Sequence, residues 1–218
     1  LTINRLRDRS TLRGQLDDLH RDLDNNKAVA QLDHYTHQAL DTVLSGRAKR
    51  AFNLDEETDN MRDFYGRDSI GQKALLARRL VEAGSTFVLV SGAWGYFDHH
   101  GDEVRWGGIV KGLKPLMPRV DRTLNAIVTD LEQRGLLDDT LVVWGGEFGR
   151  LPIAQLPGDK NVNKAGRDHN KNAMVSWMAG GGIKGGISYG ETDPLGFAAV
   201  EKRVSVPDWH ATILHQLG

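Results

Sequence analysis

From residue 68 to the end of the chain, helix-period segments alternate with short runs of apolar and β-branched residues. Helices packed on a sheet satisfy such a pattern, because each helix stripe and each strand face must find something to bury against. "DSIGQKALLARRLVEAG" (68–84) predicts a helix that stops at Gly84, where a left-handed turn is free of Cβ strain. "TFVLVSG" (86–92) predicts a first strand. Residues 108–135 predict a long helix with Val120, Leu124, Ile127, Val128 and Leu131 on one face and Gly135 as its stop. A second strand is expected at Leu141–Trp144 and a third in "AMVSWMAGG" (173–181). "VPDWHATILHQLG" (206–218) predicts a closing helix with Pro207 near its start. The expectation is an α/β core domain over residues 51–218.

The first 50 residues follow a different rule. Leu12, Leu16, Leu19 and Leu23 recur at helical spacing, "DNN" (24–26) signals a turn, and Val29, Leu32, Tyr35, Ala39, Leu40 and Val43 resume the pattern. This predicts an antiparallel helical hairpin that packs on the core or projects from it, with an apolar stripe suited to an oligomer or partner contact. "AFNLDEETDNMRDFYG" (51–66) reads as a connection with a short helix opening near Asp55.

Bulk properties narrow the function. The 218 residues are 39% hydrophobic, enough for a core, and carry a net charge of −1. A nucleic-acid binder would carry a basic excess, so that class is set aside. With no cysteine, disulfides, thiolate metal sites and thiol nucleophiles are excluded. No apolar run approaches the about 20 residues of a membrane span, and no signal peptide is present. The chain starts at Leu1, which suggests a processed or partial product.

In open α/β sheets ligands sit beyond the strand ends, so the segments flanking each strand matter most. After the first comes "AWGYFDHHGDE" (93–103), crowding Asp98, His99, His100 and Asp102 into one loop. After the second, "GGEFGR" delivers Glu147 and Arg150. Before the third, "NKAGRDHNKNA" (163–173) carries Arg167, Asp168 and His169. Carboxylates and imidazoles without thiols suit a divalent cation on O and N ligands, and arginine suits an oxyanion. Each loop also has a plainer reading: solvated histidines, a Glu147–Arg150 ion pair, and a polar turn around Asp168. "GGGIKGG" (180–186) lacks P-loop spacing and reads as a mobile loop. His210 and His215, five apart on one helix, do not share a face. Trp144 and Trp177 read as core.

"FDHHGD", "DLEQRGLLDDTLVVWGGEFGR", "GRDHN", "MAGGGIKGGISYGETD" and "HATILHQLG" occur in this order, and over nearly its whole length the chain resembles the DUF1501 family, whose function is unassigned. That family is similar in turn to the alkaline phosphatase and sulfatase superfamily. The resemblance implies a mostly parallel sheet flanked by helices, with divalent metal at the strand ends. It implies metal ligands at Asp98, His100, Glu147 and His169, and at Asp168 beside His169. It also implies that the N-terminal part of the fold, with the nucleophile and a further acidic ligand, lies upstream of Leu1, and that the protein is exported or periplasmic. The sequence departs from the superfamily at Phe148, where a second imidazole ligand would stand, and in the short spacing from Asp98 to His100.

Two functions of different classes follow. One is a metal-dependent hydrolase of phosphate or sulfate esters, acting on small molecules or sugars. Zn²⁺ or Mn²⁺ come first as its metal, with Mg²⁺ and Ca²⁺ as further candidates. Arg150 and Arg167 would hold the oxyanion. The other is a non-catalytic binding or assembly protein on the same fold, in which Glu147 simply pairs with Arg150 and Arg167.

Overall fold

The structure is a computed structural model of the 218-residue chain. It describes residues 46–92, 97–100, 108–146 and 148–218, and before them only Thr11, His34, Thr36, His37 and Leu40. The helical hairpin expected over 1–50 therefore lies almost wholly outside the described residues. The chain forms two compact units, one of Leu1–Glu57 and Leu76–Leu89, the other of Thr58–Leu75 and Val90–Gly218.

In the first unit the described part holds α1 (Arg47–Ala51), a 3-10 turn at Leu54–Glu56 and the second half of α3 (Ser69–Glu82). Its charged centre is compact. Arg78, almost wholly buried, reaches Glu57 at 2.9 Å and Glu82 at 2.5 Å, and Arg79 reaches Glu57 at 2.6 Å. Burial pushes the Glu57 carboxyl up, but hydrogen bonds and charge from Arg79 and Arg78 outweigh it and hold the pKa below the ordinary value. Helix α3 stops where expected. Gly84 adopts φ 100°, and the N–H groups of Gly84 and Ser85 satisfy the carbonyls of Val81 and Leu80 at 2.9 Å each.

The second unit opens with α2 (Asp59–Tyr65). The short helix expected near Asp55 is only the 3-10 turn, because Thr58 supplies the cap that starts the true helix. Its hydroxyl accepts the Met61 N–H at 3.2 Å. Asp68 caps the start of α3 in the same way, accepting from Ile70 and Gly71. After a π-turn at Ile109–Leu113, α4 runs from Lys114 to Gln133 and packs on α2. Its buried seam is Leu116, Val120, Thr123, Ala126, Asp130 and Leu131. Leu124, Ile127 and Val128 are only half-buried, so the seam is rotated from the expected face. A buried carboxylate explains the rotation. Asp130 accepts from the Tyr65 hydroxyl at 2.9 Å and from Arg134 Nε at 2.7 Å, which makes an acidic residue tolerable inside.

Among the described residues, six short strands form three two-stranded ribbons. They are β1 (Val142–Gly145) with β4 (Ser176–Ala179), β2 (Gly149–Arg150) with β3 (His169–Asn170), and β5 (Glu191–Thr192) with β6 (Ala199–Glu201). Every strand pairing among the described residues is antiparallel. The order is thus a mixture of helices and small antiparallel sheets, where a mostly parallel sheet was expected. The reason is local. Parallel strands need a long crossover, usually a helix, and between β1 and β4 the chain makes only ribbon β2–β3 and a 3-10 turn at Val162–Lys164. The strand expected at 86–92 is not formed either. Its residues join no ladder among the described residues, and Phe87 and Leu89 are exposed.

Other sequence readings change here. Trp144 faces Trp177 across the β1–β4 ribbon, yet Trp177 is 38% exposed, because a ribbon with no third strand leaves one face open. The start of "GGGIKGG" is a close backbone approach. A Cβ on Gly180 would lie 2.4 Å from the carbonyls of Leu137 and Thr140, and the Gly181 N–H bonds Leu137 O at 2.9 Å. The closing helix, α5 (Val206–Leu217), starts with a capping box of Ser205 and Asp208. Its Trp209 indole donates to Ser176 on β4 at 2.8 Å. No helix among the described residues is long and apolar enough to cross a membrane.

Candidate metal centre

Ribbon β2–β3 places Arg150 directly opposite His169. The pairing continues past the strands. Leu151 N–H bonds Asp168 O at 2.8 Å, and Gln155 and Gly166 exchange both backbone hydrogen bonds. Gly149 is required in this ribbon, since a Cβ there would lie 1.9 Å from Ala173 O. A third segment, 97–100, is sewn onto the ribbon by its backbone. Arg167 N–H bonds His99 O at 2.8 Å, and Arg150 Nη2 donates to Phe97 O at 2.9 Å. Three segments distant in sequence therefore hold their side chains in register.

Those side chains converge on one oxygen. Asp98 Oδ1 is in direct contact with His100 Nε2, lies 3.3 Å from His169 Nε2, and accepts from Arg150 Nη2 at 3.2 Å. Burial pushes the Asp98 carboxyl up, but the hydrogen bonds from His169 and Arg150 and the charge of His100 outweigh it, leaving the pKa below 3.8. Asp98, His100 and His169 each offer one ligand atom, and these atoms all lie within 4.8 Å of one another. With metal–ligand bonds near 2.0–2.1 Å, a tetrahedral site separates its ligand atoms by about 3.3 Å. The donor set fits a divalent cation in chemistry and in scale. The contact between Asp98 and His100 would have to open to admit one.

The surrounding groups are specific as well. The ring of Phe148 packs on that of His169, centroids 4.1 Å apart, and His100 lies 4.4 Å from the same ring. Arg150 sits 5.9 Å from the Phe148 centroid. Asp168 is outside the converging trio. Its Oδ1 lies 3.3 Å from His100 Nδ1, the nitrogen remote from Asp98, and accepts the His169 backbone N–H at 2.7 Å. That backbone bond is the main cause of a lowered Asp168 pKa.

The family assignment follows the geometry. The profile described as "Protein of unknown function (DUF1501)" matches residues 1–218. The chain belongs to the DUF1501 family. No curated protein and no solved structure matches it.

In this DUF1501 chain the expected site residues divide into groups. Asp98, His100 and His169 come together, with Arg150 bonded to Asp98 and Asp168 behind His100. The Arg167 side chain is exposed, and its place in the site is through its backbone, whose carbonyl also faces Arg150 Nη1 at 3.4 Å. His99 is buried and joins through backbone too. Glu147 and Asp102 lie outside the described residues. Asn170 went unnoticed in the sequence. It is 2% exposed, donates to Gly196 O and Phe197 O at 3.1 Å each, and accepts the Asn172 N–H at 3.0 Å. It ties the strand bearing His169 to the loop before β6. No sequence signal singled it out, because residues 163–173 read as a polar loop, where asparagine is common.

Proposed function

We propose that this chain supplies the metal-binding part of a hydrolase of phosphate or sulfate esters. The observation that carries the reading is the convergence of two imidazole nitrogens and a carboxylate oxygen on one point, at the junction of three segments. Asp98, His100 and His169 would hold a divalent cation, Zn²⁺ or Mn²⁺ by the softness of the imidazoles, with Mg²⁺ or Ca²⁺ as less suited occupants. Glu147, two residues beyond β1 in sequence, is the proposed further acidic ligand. Bound there, the cation would polarise an ester oxygen and neutralise charge developing on it. Arg150 keeps Asp98 ionised and fixes its oxygen toward the histidines. Phe148 excludes water from one side of His169. Arg167, exposed beside the cluster, is the more available cation for a substrate oxyanion.

The larger architecture belongs to the same proposal. An alkaline-phosphatase-like, mostly parallel sheet would give Phe87 and Leu89, 74% and 79% exposed, a neighbouring strand to cover them. Export to the periplasm and self-association through the N-terminal hairpin are proposed with it. One observation favours a non-catalytic role instead: Arg150 is committed to Phe97 O, Arg167 O and Asp98, as in a purely structural clamp. The test is to load the full protein with Zn²⁺ or Mn²⁺ and assay aryl phosphate and aryl sulfate hydrolysis. The hydrolase reading expects metal-dependent turnover that His169→Ala abolishes with the fold intact. Turnover that survives metal removal overturns the metal dependence, and the absence of turnover with metal bound favours the binding role.

A further inference from the structure

We infer that Asp168 is a positioning residue of this site, holding the His100 ring with Nε2 turned toward Asp98 and fixing the backbone of His169. The inference rests on the metal-centre reading. A carboxylate can only accept, so the nitrogen facing Asp168 Oδ1 at 3.3 Å must carry the proton of the contact. Asp98 Oδ1 makes the same demand on Nε2 at closer range, so a cation binding Nε2 would take the place of the proton there and leave Nδ1–H on Asp168. Nε2 is the nitrogen in contact with Asp98, where the ligand atoms converge. Asp168 thus orients the ring so that Nε2, and not Nδ1, is presented where a cation would bind. The same oxygen accepts the His169 N–H at 2.7 Å, so one atom governs the ring of one candidate ligand and the main chain of the other.

Its exposure separates this role from a structural one. The Asp168 side chain is 59% exposed. Pairs at such positions contribute little to folding, so removing it should leave the fold alone while loosening the ligands. Carboxylates behind metal-bound histidines typically govern affinity by about 10–100-fold.

The experiment is calorimetric titration of the full chain with Zn²⁺, comparing wild type with Asp98→Ala, Asp168→Ala and Asp168→Asn. Asp168→Ala should bind zinc about 10–100-fold more weakly with an unchanged metal-free melting temperature. Asp168→Asn keeps an oxygen acceptor in place and should stay within about threefold of wild type. In the zinc-loaded, ¹⁵N-labelled protein the His100 Nδ1–H should be observed and protected in wild type and Asp168→Asn, and lost in Asp168→Ala. Wild-type affinity in Asp168→Ala overturns the inference. So does an equal loss in both Asp168 variants, which would make charge, not positioning, the cause. A wild type that binds no zinc, or an Asp98→Ala variant that binds it as tightly, overturns the metal-centre reading itself.

Discussion

Asp98 and Asp130 are both aspartates held by arginine and a hydrogen-bonding ring side chain, yet their surroundings give them opposite uses. Asp130 is 2% exposed, and its two oxygens are divided between the Tyr65 hydroxyl and Arg134. Neither donor can be exchanged for a cation, because tyrosine and arginine keep their protons at neutral pH. Asp98 is 29% exposed, and one of its oxygens gathers His100, His169 and Arg150 together. Two of those donors are imidazoles, which become ligands when they release a proton. A buried carboxylate with its partners spread over both oxygens joins helices. A partly exposed one with exchangeable partners crowded on a single oxygen is what the proposed metal site would use.

The contrast can be broken by substitution. Asp130→Ala should cost about 3 kcal/mol of stability, since it strands the Tyr65 hydroxyl inside and removes the partner of Arg134. Urea denaturation measures this, and a loss under about 1 kcal/mol would show that α2 and α4 do not depend on the network. Asp98→Ala should do the reverse. Zinc affinity should fall at least about 100-fold, equivalent to about 2.7 kcal/mol. Its urea midpoint should move far less than that of Asp130→Ala, and a comparable shift would class Asp98 with Asp130. Tyr65→Phe removes one hydrogen bond while keeping the ring, and should cost about 1 kcal/mol in the same denaturation.

The smallest effect is the acid dependence of Asp98. Its folded pKa lies below 3.8, so the stability from its ionised form is complete above that pH and is lost as pH falls through the lower folded value. The difference in melting temperature between wild type and Asp98→Asn should therefore close only below pH 3.8. A gap that closes at higher pH would mean that the hydrogen bonds to Asp98 are not formed in solution.

Much of this was legible in the sequence because it depends on neighbours along the chain. The stops at Gly84 and Gly135, the long helix before β1 and the start of α5 near Pro207 follow from glycine placement, apolar period and proline at a helix start. The presence of Asp98, His100, Asp168 and His169 in loops suited to a ligand was equally readable. The buried position of Asp130 was not, because an acidic residue in a helical stripe reads as its solvated edge until Tyr65 is brought beside it. The strand at 86–92 was over-read, because an apolar β-branched run says that a segment needs a partner without supplying one.

The sequence by itself determined the helices within 68–84, 108–135 and 206–218, where the first two stop, and that any site must be built from carboxylates, imidazoles and arginines rather than thiols, since cysteine is absent. Only the tertiary structure decided which of those groups meet. It placed Asp98 and His100 against His169 from a segment far along the chain, put Asp168 behind His100, and spent the backbone of His99 and Arg167 on joining the two loops. The physical reason is range. Caps and helical periods act over a few residues, whereas a metal centre needs ligand atoms a few ångströms apart from segments that only long-range backbone hydrogen bonds can bring into register.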